Sequence, residues 1–390
     1  MTALDSHITD KQFTQELRLD SNNTAIKWLV GAYYYNAKSS YDPAIVNFGP
    51  TPATNPAFPI GAIQIDSSLR TRSVAGFGQA TAPITDRLNV TLGLRYTHER
   101  RVLEGTQVGL LLVPGAPISL GSVPHAGKTF KSATYRAAVD YALADDVMVY
   151  ASVSSGFKSG GYDTSTITNP PFRPEKLTAY EAGVKSQFLD NRVRLNVAGF
   201  YYDYKDLQVQ RQLQAGNSVI NGSAEIYGAD VDLTFAVSNR LSLRANIEAL
   251  HSKFLDFPGA QFTSTTGGVP VTAFQARGNR LPYASNFAGS FGFDYEMPVG
   301  DGSITFNGTA YHDDGWFARP DNLIAQPSYW MFNASANWKV ADTGLSLSVW
   351  GRNLSNEPVS GYAVTTFPIG NLGQSLEAPR TYGGTIGLKF

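Results

Sequence analysis

Apolar and polar residues alternate with a period of two along most of the chain. Leu88, Val90, Leu92, Leu94 and Tyr96 alternate with Asn89, Thr91, Gly93, Arg95 and Thr97. Phe287, Phe291, Phe293 and Tyr295 alternate with Asn286, Ser290, Gly292 and Asp294, and Leu241, Leu243 and Ile247 with Ser242, Arg244 and Glu248. A period of two places successive side chains on opposite faces, so these segments predict strands with one apolar and one polar face. Apolar residues at helical spacing are nearly absent, and the predicted fold class is all-β and antiparallel. The alternating segments Arg87–Arg101, Val193–Leu207 and Tyr283–Met297 are long. Strands of soluble domains run to about 5–6 residues, whereas tilted strands that cross a bilayer need about 9–11.

The connections carry a second periodicity. Short turns rich in Asn, Asp and Gly are predicted at Ser21–Asn23, Thr85–Asp86, Ala144–Asp146, Asp190–Asn191, Ser238–Asn239, Pro298–Gly302 and Ala341–Gly344. Such residues tolerate the backbone angles of tight hairpins. Between them lie long stretches at 36–63, 101–128, 158–176, 206–220, 256–281, 313–327 and 354–379. Short and long connections alternate, seven of each, which joins fifteen strands and gathers every long connection at one end. Transmembrane β-barrels of the bacterial outer membrane have this layout, with short turns inside and long loops outside.

In such a barrel the apolar row of each strand faces lipid and the polar row faces the lumen. Arg95, Glu181, Lys185, Arg244 and Glu248 are the predicted lumen-wall charges, because Arg or Lys on the lipid face costs roughly 2–4 kcal/mol at mid-bilayer. The aromatic groups Tyr33–Tyr35, Phe200–Tyr202 and Tyr329–Trp330 are expected at strand ends, as an interfacial girdle. Composition agrees: 16% of the 390 residues are charged, against about 25% in an average soluble domain. Thirty-one basic and 32 acidic residues leave a net charge of -1, which offers no basic field for nucleic acid. With no cysteine, neither a disulfide framework nor a thiolate metal site is available. The five histidines lie on separate segments, no Gly-x-Ser-x-Gly elbow or HExxH pair occurs, and His312-Asp313-Asp314 reads as a polar loop start. Neither an enzyme, nor a metal site, nor a cofactor is expected.

Several segments resemble one family, the TonB-dependent outer-membrane receptors. These are Phe13-Thr14-Gln15-Glu16-Leu17-Arg18-Leu19; Ala75-Gly76-Phe77-Gly78-Gln79-Ala80-Thr81 with Leu92-Gly93-Leu94-Arg95-Tyr96; and the run from Tyr150 to Gly161. Tyr180-Glu181-Ala182-Gly183-Val184-Lys185 and Gly351-Arg352-Asn353-Leu354-Ser355-Asn356 follow in the family's order. The closing Gly383, Ile386, Leu388 and Phe390 resemble the C-terminal signal read by the outer-membrane barrel assembly machinery.

The resemblance implies an outer-membrane location in a Gram-negative bacterium, and uptake of a scarce nutrient complex, with a ferric siderophore the favoured class. It implies ligand contacts in the outer loops, where Tyr162, Phe172, Arg173, Trp316 and Arg319 are the candidates. It also implies 22 barrel strands and an N-terminal plug through which TonB acts, and nothing before Phe13 resembles the plug. Residues 1–12 are therefore expected to be a lead-in, with residues 13–390 the C-terminal portion of the barrel. A passive porin-like channel of about sixteen strands is the alternative.

Overall fold

A computed structural model of the chain describes residues 3–21, 25–47, 60–111, 115–213, 216–262, 271–340, 343–366 and 371–389. Fifteen antiparallel strands form one sheet. They are β1 (Ala3–Asp20), β2 (Lys27–Asn47), β3 (Ile60–Thr85), β4 (Leu88–Leu111), β5 (Ile118–Ala144), β6 (Val147–Lys158), β7 (Glu175–Phe188), β8 (Val193–Leu213), β9 (Gly216–Ala236), β10 (Leu241–Asp256), β13 (Phe287–Val299), β14 (Gly302–Phe317), β15 (Ala325–Lys339), β16 (Leu345–Arg352) and β19 (Thr381–Leu388). Two small hairpins, β11 (Pro258–Phe262) with β12 (Val271–Gln275) and β17 (Ser360–Thr366) with β18 (Asn371–Leu376), ride on long connections. Every sheet strand pairs with its neighbours in the chain, so the topology is a pure meander. Among the described residues β1 pairs with β2 alone and β19 with β16 alone.

Three expectations are corrected. Residues 3–12 are not a lead-in: they belong to β1, and Ala3 already pairs with Asn47. The stretches 36–63, 101–128 and 206–220 are not loops throughout, since β2 to β5 and β8 to β9 continue far into them as hairpins. β3, β4 and β5 are 26, 24 and 27 residues long, more than twice the roughly ten residues a bilayer requires. Their upper halves project beyond it. The aromatic groups lie within strands and not at their ends. Tyr33 and Tyr34 point to opposite faces of β2, and Phe13 meets Tyr34 at a ring distance of 6.2 Å on the outward one.

The turn at Asp190–Asn191 forms as the residue types dictate. Asp190 and Asn191 take positive φ, at 54° and 63°, a region Asn and Asp enter at low cost; Leu189, at 55°, is carried into it without that advantage.

Register decides which residues share a face. Tyr150, Gly183, Ala198, Asp230, Glu248, Ala288 and Asp313 occupy successive paired positions from β6 to β14. One hollow is lined by residues of all seven of those strands, which makes this face concave. The opposite face carries Leu92, Leu94, Tyr96, Tyr180, Leu243, Phe291, Phe293, Phe332, Val349, Tyr382, Ile386 and Leu388, every one exposed. That convex apolar surface is the lipid face of a barrel wall.

Candidate functional site

The predicted lumen charges lie on the concave face, and four of the five are held by a neighbour across strands. The Arg95 guanidinium sits 5.3 Å from the ring of Tyr33 and 5.4 Å from that of Phe77, cation–π contacts that reach across two strands. Tyr150 donates to Glu181 at 2.7 Å, and Lys185 lies 5.5 Å above the Tyr150 ring. Arg244 pairs with Asp294, whereas Glu248 stands opposite Asp230, two like charges in register. Among these five, only Arg244 has an opposite charge beside it; Arg95, Lys185 and Glu181 are held by aromatic side chains, and none of the five faces the lipid belt.

Above this wall the long-connection end closes in through two assemblies. The first is the loop 159–174 between β6 and β7. Both strands end low, at Lys158 and Glu175, while their neighbours rise further. The loop fills that notch and folds onto the concave face of β3 and β4. Tyr162 and Ile167 are buried against Ile63, Ile65, Leu103 and Ala44, and Ser67 donates to the Thr164 carbonyl at 2.9 Å. On the other side Asp163 accepts from the Val219 amide at 3.2 Å and from Asn169 at 3.2 Å. Arg173 binds Asp206 at 2.7 Å, and Asn221 donates to the carbonyls of Arg173 and Asp206.

Gly160 explains part of the Ser-Gly-Gly-Tyr run. A Cβ there would lie 2.5 Å from the Phe130 ring and 2.5 Å from the Phe172 carbonyl oxygen. Only glycine fits where the loop crosses β5.

The second assembly joins the segment after β12 to the β14–β15 connection. Arg280 donates to the carbonyls of Ala284 and Gly315 at 2.7 and 3.0 Å. Asn322, at a φ of 57°, accepts from the Arg280 amide at 2.8 Å and donates to the Arg280 carbonyl at 3.0 Å. Asp313 accepts from Ser285 at 2.6 Å, Gly315 at 2.8 Å and Tyr311 at 3.0 Å. The segment read as a polar loop start is therefore strand. His312 faces outward and stacks on Trp330 at 4.5 Å, while Asp313 faces inward.

The five loop candidates divide between these assemblies. Tyr162, Phe172 and Arg173 belong to the first, Trp316 and Arg319 to the second. Tyr162 is buried in loop packing, and burial pushes its hydroxyl pKa up. Phe172 forms an isolated bridge with Gly161, and Arg173 stays largely open to solvent despite its ion pair. Trp316 packs on Tyr283 at 4.6 Å. Arg319 has its Nε buried without a hydrogen bond, and burial lowers its pKa. Asp163, Arg280 and Asn322, which organise the loops, were not singled out by sequence, and Asp313 was read only as part of a polar loop start. Single polar residues in loops carry no periodic signal, and only adjacency to Gly160–Gly161 marks Asp163. Of the C-terminal set, Gly383 faces inward beneath Trp350, Ile386 and Leu388 face outward, and Phe390 lies outside the described residues.

Burial holds the Asp163 carboxyl above the usual carboxylate range, against the pull of its hydrogen bonds. A folded pKa above the unfolded one favours docking of the protonated form. That stability is fully present below the unfolded value near 3.8 and is lost as pH rises through the folded pKa. Docking of the loop should therefore tighten on acidification. Hydrogen exchange at Val219 and in residues 159–174, corrected for intrinsic rates, should slow from about pH 7 to about pH 4, and Asp163→Asn should flatten the trend. Faster exchange at low pH would contradict this.

An up-and-down sheet with a convex apolar face, a charged concave wall and inward-folding loops is the architecture of a membrane β-barrel wall. Residues 2–354 match the family described as TonB dependent receptor-like, beta-barrel, and the chain belongs to that family. It is 24% identical over 328 residues to the pesticin receptor of Yersinia pestis, covering 81% of this chain and 43% of that protein. In fold it is similar to the ferric yersiniabactin uptake receptor FyuA from Yersinia pestis, with a TM-score of 0.80 and 19% identity over 100% of this chain and 55% of that one. The siderophore receptor PiuA from Acinetobacter baumannii gives a TM-score of 0.71 at 17% identity, over 99% of this chain and 56% of that one. The chain thus spans about half the length of the relatives it matches.

Proposed function

We propose that this chain forms barrel wall and outer vestibule of an outer-membrane receptor that takes up a metal–siderophore complex with energy delivered through TonB. The observation that carries this reading is the folding of loop 159–174 over the concave wall, where it is bonded to β3 through Ser67 and to β9 through Val219. A porin-like channel is not favoured, because the matched relatives are receptors. Phe172, Arg173, Trp316 and Arg319 are the proposed ligand contacts. Aromatic rings and guanidinium groups suit planar, anionic chelates through stacking and charge-assisted hydrogen bonds. Tyr162 is a positioning residue that acts by holding the loop down. TonB would act through a plug domain, and barrel assembly would use the closing strand β19.

Deleting the gene that carries this chain should abolish growth on one ferric siderophore as sole iron source and leave other sources unaffected. Arg173→Ala with Arg319→Ala should weaken binding of that complex on the order of tenfold or more. Unchanged growth on every iron source, or uptake that persists without TonB, would rule the reading out.

A further inference from the structure

On the convex face of β1 to β5 the apolar belt gives way abruptly to cations. Along β4 the outward residues run Leu88, Val90, Leu92, Leu94, Tyr96 and then His98 and Arg100. On β5 Tyr141, Val139 and Tyr135 give way to Lys131; on β3 Val74 gives way to Arg72 and Arg70. On β2 and β1 the outward Tyr34 and Phe13 give way to Lys38 and Lys11. Register sets these cations side by side: Lys11 opposite Lys38, Lys38 opposite Arg70, Arg72 opposite Arg100, and His98 opposite Lys131.

All six lysines and arginines are exposed, and none forms a salt bridge among the described residues. Like charges directly opposite on a sheet repel, so the band costs stability unless an anion lies over it. Lys38, Arg70, Arg72 and Arg100 also line one shallow hollow on this face, together with His125 and Glu104, which bind each other at 3.2 Å and leave the four cations without an acid of their own. The change from apolar to cationic comes about ten residues above the short turns, which is the thickness of the hydrocarbon layer.

Further along the same convex face, two outward lysines have acidic partners. At the same level on β7 to β10, Lys205 pairs with Asp203 at 3.7 Å and Lys253 with Glu225 at 2.8 Å.

We infer that the band on β1 to β5 is a docking surface for the phosphate-bearing headgroups of an anionic membrane lipid, whose chains lie against the apolar belt directly below. The inference rests on the membrane-spanning reading. A headgroup phosphate at the polar boundary would sit between opposed cations and relieve their repulsion, and continuity with the lipid face favours a lipid over a soluble anion.

The test uses the full chain with phosphatidylcholine vesicles, with and without a minor fraction of phosphatidic acid. Flotation reports membrane association, and native mass spectrometry after mild detergent extraction counts retained lipid. Phosphatidic acid should be retained about tenfold or more over phosphatidylcholine. Joint substitution Lys38→Gln, Arg70→Gln, Arg72→Gln and Arg100→Gln should abolish the preference, while Lys38→Arg with Arg70→Lys, Arg72→Lys and Arg100→Lys should keep it. Lys205→Gln with Lys253→Gln, the two lysines that have acidic partners, should leave it unchanged. Flotation without headgroup preference, or a preference that survives the four glutamines, overturns the docking surface and spares the membrane reading. Displacement of the retained lipid by millimolar inorganic phosphate would make the site one for free phosphate and also overturn it. Failure to float with either vesicle removes both.

Discussion

Leu94→Arg should destabilise the chain folded in phospholipid vesicles by about 2–4 kcal/mol, the penalty for a cation on the lipid face near mid-bilayer. Leu94 is 62% exposed on the convex face and lies in the apolar row between Leu92 and Tyr96, six residues above the start of β4. Its neighbour Arg95 is the control. Arg95→Leu loses the contacts with the rings of Tyr33 and Phe77 but places no charge in lipid, so a cost of roughly 0.5–2 kcal/mol is expected. Urea titrations of the two variants against the parent chain in the same vesicles separate the outcomes. If Leu94→Arg were tolerated as well as Arg95→Leu, the convex face would not be a lipid face.

The second large effect is expected at Gly160. Gly160→Val puts a branched side chain where a Cβ already falls 2.5 Å from the backbone oxygen of Phe172 and 2.5 Å from the Phe130 ring. The ring can turn aside, but the carbonyl belongs to the bridge that closes the loop. Overpacking of this kind costs about 1–3 kcal/mol, enough to shift residues 159–174 from docked to open. Limited proteolysis should then cut this loop in the variant and spare it in the parent chain. Gly76→Ala is the matched control, since a Cβ at Gly76 meets nothing within 4 Å. Equal protease resistance of Gly160→Val and the parent would mean that the loop is not held by this crossing. Loss of ligand binding by Gly160→Val with intact Arg173 and Arg319 would tie the docked loop to recognition.

The strands were legible where a bilayer requires them. Leu88 to Tyr96 and Leu241 to Ile247 alternate because one face must meet lipid, and that constraint writes a period of two. Above the bilayer the constraint lapses and so does the signal. Residues 206–220 read as a loop, yet β8 and β9 continue through most of it as a hairpin. With water on both sides, a polar residue such as Gln208 or Gln210 suits either face. The same reason hides the start of β1, where Asp5, Asp10 and Lys11 look like a tail. Tyr162 shows the limit for site residues. A loop tyrosine beside two glycines suits ligand contact or loop packing equally well by sequence, and its burial against Ile63 and Leu103 appears only once the loop folds back.

The sequence alone determined the all-β class, fifteen sheet strands in meander order, which polar residues share a face and the family, because each depends on local alternation or on short contiguous motifs. Tertiary structure alone decided which loop turns inward and what Asp163 and Asp313 hold. It also decided that Lys11, Lys38, Arg70, Arg72, Arg100 and Lys131 form one band. Those cations are scattered along five strands, and only cross-strand register, with the curvature that separates convex from concave, brings them to one surface.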